Sequence, residues 1–187
     1  MRIEFDGVSF SYGEKVILSE LSFTAEQGEV VCLVGGSGSG KTTALKLALG
    51  LLTPSSGNVT APKRISAVFQ EDRLFESHTL KANISCVAAN GDRSDELIRL
   101  AGLGEFSDTR VSKLSGGQKR RAAILRALNF AADALVLDEP FNGIDAENRE
   151  VMAKLILEYA KDIPVLLVSH DPLDRELLGA REIEIKR

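Results

Sequence analysis

The run Gly35-Gly36-Ser37-Gly38-Ser39-Gly40-Lys41-Thr42 concentrates the residue types suited to holding a polyphosphate. Glycines let a backbone curl with its N–H groups pointing inward, and a phosphate chain can then approach without meeting a Cβ. Apolar Val30-Val31-Cys32-Leu33-Val34 precedes the run, and Thr43-Ala44-Leu45-Lys46-Leu47-Ala48-Leu49 follows it. The first segment is short and β-branched and predicts a buried strand; the second predicts a mostly buried helix. Strand, loop and helix are the setting in which G-x-x-x-x-G-K-[ST] cradles a triphosphate. The helix N-terminus adds unpaired N–H donors and the positive end of its dipole. Lys41 would bridge the β- and γ-phosphates, and the Thr42 hydroxyl would take a position on Mg²⁺.

A second apolar run, Ala134-Leu135-Val136-Leu137, ends in Asp138-Glu139. Open α/β sheets bind ligands at the carboxyl ends of their strands, so these carboxylates would arrive where the phosphates sit. Asp138 would hold Mg²⁺ through water, and Glu139 would orient and deprotonate an attacking water. Leu114-Ser115-Gly116-Gly117-Gln118 opens an Ala- and Arg-rich helix and places a serine and two small residues at a further anion-binding helix end.

With these three motifs in this order, the chain resembles the ATP-binding cassette ATPases, and the resemblance runs from Tyr12 to His170. It implies ATP and Mg²⁺ as cofactors, with Gly35 to Thr43 around the phosphates of the chain's own nucleotide. It also implies that Ser115, Gly116, Gly117 and Gln118 cap the γ-phosphate of ATP held by a second cassette, in a homo- or heterodimer. By the same resemblance, Tyr12 stacks on adenine, and Gln70 senses Mg²⁺ and the attacking water. Asp145, in Asn142-Gly143-Ile144-Asp145, acts across the dimer, and His170 contacts the γ-phosphate. Glu139, His170, Lys41 and Gln70 form the expected catalytic set, with Thr42, Gln70 and Asp138 on the metal.

The function this implies is ATP hydrolysis in a membrane transporter, with separate transmembrane permease subunits and a solute-binding protein as partners. A permease helix would dock near Gln70 to Ile84, where Leu74 and Phe75 offer apolar contact. The run Phe69-Gln70-Glu71-Asp72-Arg73-Leu74 looks like that of nitrate-, sulfonate- or taurine-type importers. A cassette ATPase working on ribosomes, DNA or cofactor assembly is the competing reading. Against it stand the single cassette, the acidic pI and the lack of a coiled-coil insertion. A catalytically dead scaffold would not need Lys41, Asp138, Glu139 and His170 together.

The elements that must position these groups follow from patterning. Ile3, Phe5 and Val8, Phe10, Tyr12 alternate in two short runs separated by Asp6-Gly7, a hairpin-like turn signal. Val16-Ile17-Leu18 and Leu21-Ser22-Phe23-Thr24 add further strand pieces, so the N-terminal part predicts a small antiparallel subdomain. Val59, Ile65 to Phe69, and Pro164 to Val168 read as strands, with Ile183 and Ile185 in a closing edge strand. Helices are expected over 78–89, 94–101, 115–131 and 146–161. Strands alternating with helices imply an α/β fold: a P-loop NTPase core with a mostly parallel sheet and helices on both faces. The helical lobe, roughly 71–113, would be an insertion in that core, and the whole of 1–187 one cassette domain. The lobe is shorter than is usual in the family. Few residues follow His170, so a C-terminal regulatory domain is expected to be missing.

Composition sets the remaining bounds. The 187 residues are 44% hydrophobic and carry a net charge of −4, without the basic footprint of a nucleic-acid binder. The run Lys119-Arg120-Arg121 lacks interleaved aromatics and reads as a solvated helix face. Cys32 and Cys86 have no metal spacing and suit a reducing cytosol. No apolar run approaches the length of a bilayer span, and Met1-Arg2-Ile3-Glu4 has no signal-peptide core. A cytoplasmic location, peripheral to the inner face of the cell membrane, is expected.

Overall fold

The structure is a computed structural model that describes residues 1–88 and 91–185. Eight strands alternate with six α-helices among the described residues. Five strands form a parallel sheet: β3 (Val30–Val34), β5 (Ile65–Val68), β6 (Ala134–Asp138), β7 (Val165–Val168) and β8 (Arg181–Glu184). Their order is β5-β6-β7-β3-β8. The three inner strands are apolar at nearly every position because both faces are covered.

Alternate residues of each inner strand enter different cores. Val30, Cys32, Leu135, Leu137, Val165 and Leu167 pack with the helical side. That side comprises α2 (Leu80–Ser85), α3 (Ser94–Leu100), α4 (Gly116–Asn129) and α5 (Ala146–Ala160). Val31, Leu33, Val136, Leu166 and Val168 pack with α1 (Lys41–Ala48) and with a second, antiparallel sheet. A short helix, α6 (Pro172–Leu177), precedes the edge strand β8.

The antiparallel sheet has the order β2-β1-β4, with β1 (Ile3–Tyr12), β2 (Lys15–Ala25) and β4 (Ser56–Thr60). Here the structure corrects the turn expected at Asp6-Gly7. β1 is one continuous strand, and its pairing with β2 slips between Phe5 and Val8, so Asp6-Gly7 forms an irregularity within the ladder. Both a turn and a bulge use a glycine with positive φ, and Gly7 has φ 57°. Gly57 of β4 lies against this distortion, with φ 76°, and a Cβ there would stand 2.2 Å from the Gly7 carbonyl oxygen.

The helix expected over 78–89 is shorter, at Leu80–Ser85, with Thr79 as its cap accepting from the Ala82 N–H at 3.1 Å. Its far end stops for a visible reason. The Ile84 carbonyl, which another turn would use, accepts instead from the Asn129 side chain at 3.0 Å. Ala88 N–H donates to Ser85, three residues back. The last expected helical residue, Ala89, lies outside the described residues.

Gly57→Ala should therefore lower stability by roughly 2 kcal/mol, or about 4–8 °C in Tm. Thermal unfolding checks this; an unchanged Tm would mean that β1 and β4 part easily at the bulge.

Candidate functional site

Parallel register brings the strand ends level. Val168 of β7 pairs with Leu33 of β3 on one side and Asp138 of β6 on the other, while Leu137 of β6 pairs with Val68 of β5. The segments leaving these strands therefore meet at one edge: the glycine loop after β3, Gln70 after β5, Glu139 after β6 and His170 after β7. They border a cavity of about 330 Å³. Its lining includes Ser37, Gly38, Gly40, Lys41, Thr42 and Thr43 from the glycine loop and α1, together with Gln70, Asp138, Glu139 and His170 from the other strand ends. Lys15 and Ile17 of β2 complete the rim.

The glycine loop is shaped by contact with β2. Gly40 caps α1 with φ 106°, and a Cβ there would come within 2.6 Å of Leu18 Cδ2. Only glycine fits both the backbone and the space. Lys41 is almost wholly buried, and its Nζ donates to the carbonyls of Gly35 at 2.8 Å and Gly36 at 3.1 Å. The ammonium is thus folded over its own loop, at the start of a helix whose first N–H groups face the same space.

At the end of β6, Asp138 is buried, and its carboxyl pKa is raised above 3.8. Burial is the main cause and the neighbouring Glu139 charge the second; Arg120, Lys41 and Lys46 pull the other way. Glu139 follows with φ 50°, unusual for a residue with a side chain. Its N–H donates to the Val168 carbonyl at 2.8 Å, anchoring it to β7. Its Oε2 accepts from the His170 N–H at 3.3 Å, and its Oε1 lies 3.6 Å from His170 Nε2. Oε1 is buried without a hydrogen-bond partner among the described residues, a free acceptor at the cavity wall.

Other expected site residues lie outside the cavity lining. Tyr12 is half exposed at the β1–β2 turn, edge-on to Phe10 and paired with Lys15, which does reach the rim. Asp145 caps α5, accepting from the Asn148 N–H at 3.0 Å and from the Asn148 side chain. Those bonds hold its carboxyl below the usual range. Ser115 and Gly116 are exposed at the start of α4. Ser115 Oγ accepts from Gln118 N–H at 3.3 Å, and Gln118 Oε1 accepts from Ser115 N–H at 2.8 Å, a reciprocal cap.

The reading of Lys119-Arg120-Arg121 as a solvated face is overturned. Arg120 is only 3% exposed. Its guanidinium donates to the carbonyls of Phe69 at 2.5 Å, Asp138 at 2.8 Å, Glu139 at 2.7 Å and Pro140 at 2.9 Å. Arg121 is tied to the Ala101 carbonyl at 2.7 Å and to Asn148 at 2.6 Å, and Lys119 to Glu76 at 2.9 Å. A signal for Arg120 existed in the helical spacing: Ile124, Ala127 and Leu128, at i+4, i+7 and i+8, are all buried. A second buried group also went unread. Ser169, just before His170, donates to Asp174 at 2.6 Å, and Arg149 of α5 reaches both Asp171 and Asp174.

A glycine loop at a helix start facing two carboxylates at a parallel strand end is the site of a nucleotide hydrolase. Residues 18–142 match the family described as ABC transporter, and the chain belongs to that family. An aliphatic sulfonates import ATP-binding protein of Nocardia farcinica is 38% identical over 99% of this chain and 78% of its own length. Another, from Granulibacter bethesdensis, is 39% identical over 94% of this chain and 76% of its own. A Nod factor export ATP-binding protein of Paraburkholderia xenovorans is 35% identical over 96% of this chain and 66% of its own. The chain is an ATP-binding, ATP-hydrolysing subunit of a membrane transporter. Among the described residues, no helix is long and apolar enough to cross a membrane. As the ATP-binding subunit of a transporter, the chain partners with membrane permease components.

The raised pKa of Asp138 has a thermodynamic consequence. The folded protein keeps this proton to higher pH than the unfolded chain, so ionised Asp138 opposes folding at neutral pH, and the penalty fades as pH falls through its raised pKa. Asp138→Asn should raise the Tm of nucleotide-free protein at pH 7, with the gain shrinking as the pH falls toward 3.8. A loss of Tm at pH 7 would show that the attraction of Arg120 and Lys41 outweighs burial.

Proposed function

We propose that two copies of this cassette, or one copy and a related cassette, close around two ATP molecules to drive a sulfonate-type importer. The observation that carries this reading is that a single cavity is lined both by Lys41 with the α1 end and by two carboxylates, Asp138 and Glu139. A triphosphate held by Lys41 and the α1 end would be repelled by these carboxylates unless a cation lies between them. Among the described residues, no three His, Cys, Asp or Glu side chains gather into a metal-holding group. That suits Mg²⁺, which takes one or two protein oxygens and completes its shell with phosphates and water. Thr42, Asp138 and Gln70 would hold it, and when bound it would neutralise charge on the phosphates.

Within that site, Gly35, Gly36, Ser37, Gly38, Ser39, Gly40 and Thr43 surround the phosphates, and Lys41 leaves its loop carbonyls for them. Tyr12 offers its exposed ring to adenine. Glu139, with a free carboxylate oxygen beside His170, orients and deprotonates the attacking water. His170 stands 65% exposed, free to meet the γ-phosphate. The Ser115-Gly116-Gly117-Gln118 end exposes Ser115 and Gly116 and lies outside its own cavity, which supports its use on a neighbour's nucleotide. Asp145, at the adjacent cap, would act across the same interface. Loss of the γ-phosphate removes the contacts that favour closure, and the pair reopens.

Phe75, 56% exposed, and half-buried Leu74 line the stretch from Gln70 to Ile84, where a permease helix would dock on the cytoplasmic side of the membrane. The substrate class rests on the names of the similar import proteins, and an importer implies a solute-binding protein.

Glu139→Gln should keep ATP affinity, lower turnover by about 10²–10⁴-fold and trap a dimer in ATP. Steady-state hydrolysis and light scattering read both effects, and normal turnover removes Glu139 from this role. Lys41→Ala should weaken nucleotide binding by roughly 10-fold or more, since a charged donor to phosphate is lost. Titration with a fluorescent ATP analogue checks this, and unchanged affinity contradicts the cradle.

A further inference from the structure

We propose that Arg120 is a positioning residue for Glu139, and that it makes the start of α4 and the turn carrying Glu139 move as one body. The guanidinium reaches that turn from the helix side at three successive carbonyls, Asp138, Glu139 and Pro140, at 2.7 to 2.9 Å. The same group binds the end of β5 through the Phe69 carbonyl, with a longer contact of 3.4 Å to that of Gln70. Asp72 faces it at 3.1 Å.

Three features make this a device rather than a buried cation in search of acceptors. First, the turn it grips is strained: Glu139 has φ 50°, a conformation that persists in a non-glycine residue only when its surroundings impose it. Three carbonyls fixed by one planar fork provide that imposition, and lysine, a compact point charge without that fixed fork, could not match it. Second, Arg120 lies about one and a half helical turns from Ser115, so displacement of the exposed end of α4 reaches the Glu139 turn through a rigid segment. Third, the grip extends along the chain after β5. Arg126 of α4 donates to the carbonyls of Arg73 at 2.8 Å and Asp72 at 3.1 Å, and Lys119 pairs with Glu76. One helix therefore carries the Ser115 end, the clamp on Glu139 and the hold on residues 69–76.

This inference rests on Glu139 orienting the water, so the experiment separates the two. Arg120→Lys is compared with Asp72→Asn and Glu139→Gln in ATP hydrolysis and in binding of a fluorescent ATP analogue. A misplaced general base costs turnover, not nucleotide binding, and an ångström of error costs about 10²-fold. Arg120→Lys should lower kcat by about 10²-fold with nucleotide affinity within about two-fold of the parent. Asp72→Asn, at a partly exposed position beside the guanidinium, should lower kcat several-fold with the same unchanged affinity, and it decides the question alone if Arg120→Lys does not fold. Wild-type kcat in the folded variants, or affinity falling in step with kcat, overturns the positioning role. Turnover retained by Glu139→Gln would instead remove the underlying assignment of the base, whatever Arg120 does.

Discussion

Parallel register between β6, β7 and β3 is the constraint on which everything else depends. Because Val168 stands level with both Leu33 and Asp138, the three chain segments that leave these strands start from one line. A slip of one residue in β7 would turn its buried faces over, exchanging the residues that feed the two cores. It would also pull His170 away from Glu139. The apolar content of the inner strands, buried on both faces, makes such a slip costly. The chemistry of the site is thus positioned by packing far below it.

The second layer of organisation is electrostatic. A lysine and a helix end share one cavity with two carboxylates, and each group is held by backbone rather than by the other. Lys41 rests on loop carbonyls, Glu139 is anchored to β7 through its own N–H, and Arg120 grips the carbonyls around it. One cavity thus presents charges of both signs, which suits a ligand that itself carries both. Magnesium with a polyphosphate has that character.

Much of this was legible in the residues. The glycine loop, the acidic strand end and the Leu114–Gln118 helix start are contiguous motifs whose chemistry is local, and the folded chain puts the first two in one cavity. What escaped notice depends on partners distant in sequence. Asp6-Gly7 carries the same residues as a hairpin turn, and only the slip in its pairing with β2, with Gly57 of β4 against it, reveals a bulge. The early end of α2 depends on Asn129, many residues later, taking the Ile84 carbonyl. Arg120 is the sharper lesson. Its neighbours in sequence are basic and its surroundings in space are carbonyls, so a charge count misplaced it where helical spacing with Ile124 and Leu128 would have buried it.

In the proposed dimer, one nucleotide is held by the Lys41 loop and the Asp138–Glu139 strand end of one chain and the Ser115 helix end of another. A crystal structure of the Glu139→Gln variant grown with ATP and Mg²⁺ tests it most directly. The expected structure has triphosphate in the cavity beside Lys41, the metal between Thr42 and Asp138, and the Ser115–Gln118 turn of a second molecule on the γ-phosphate. ATP bound elsewhere, or bound in the cavity with that turn left facing solvent, would contradict it.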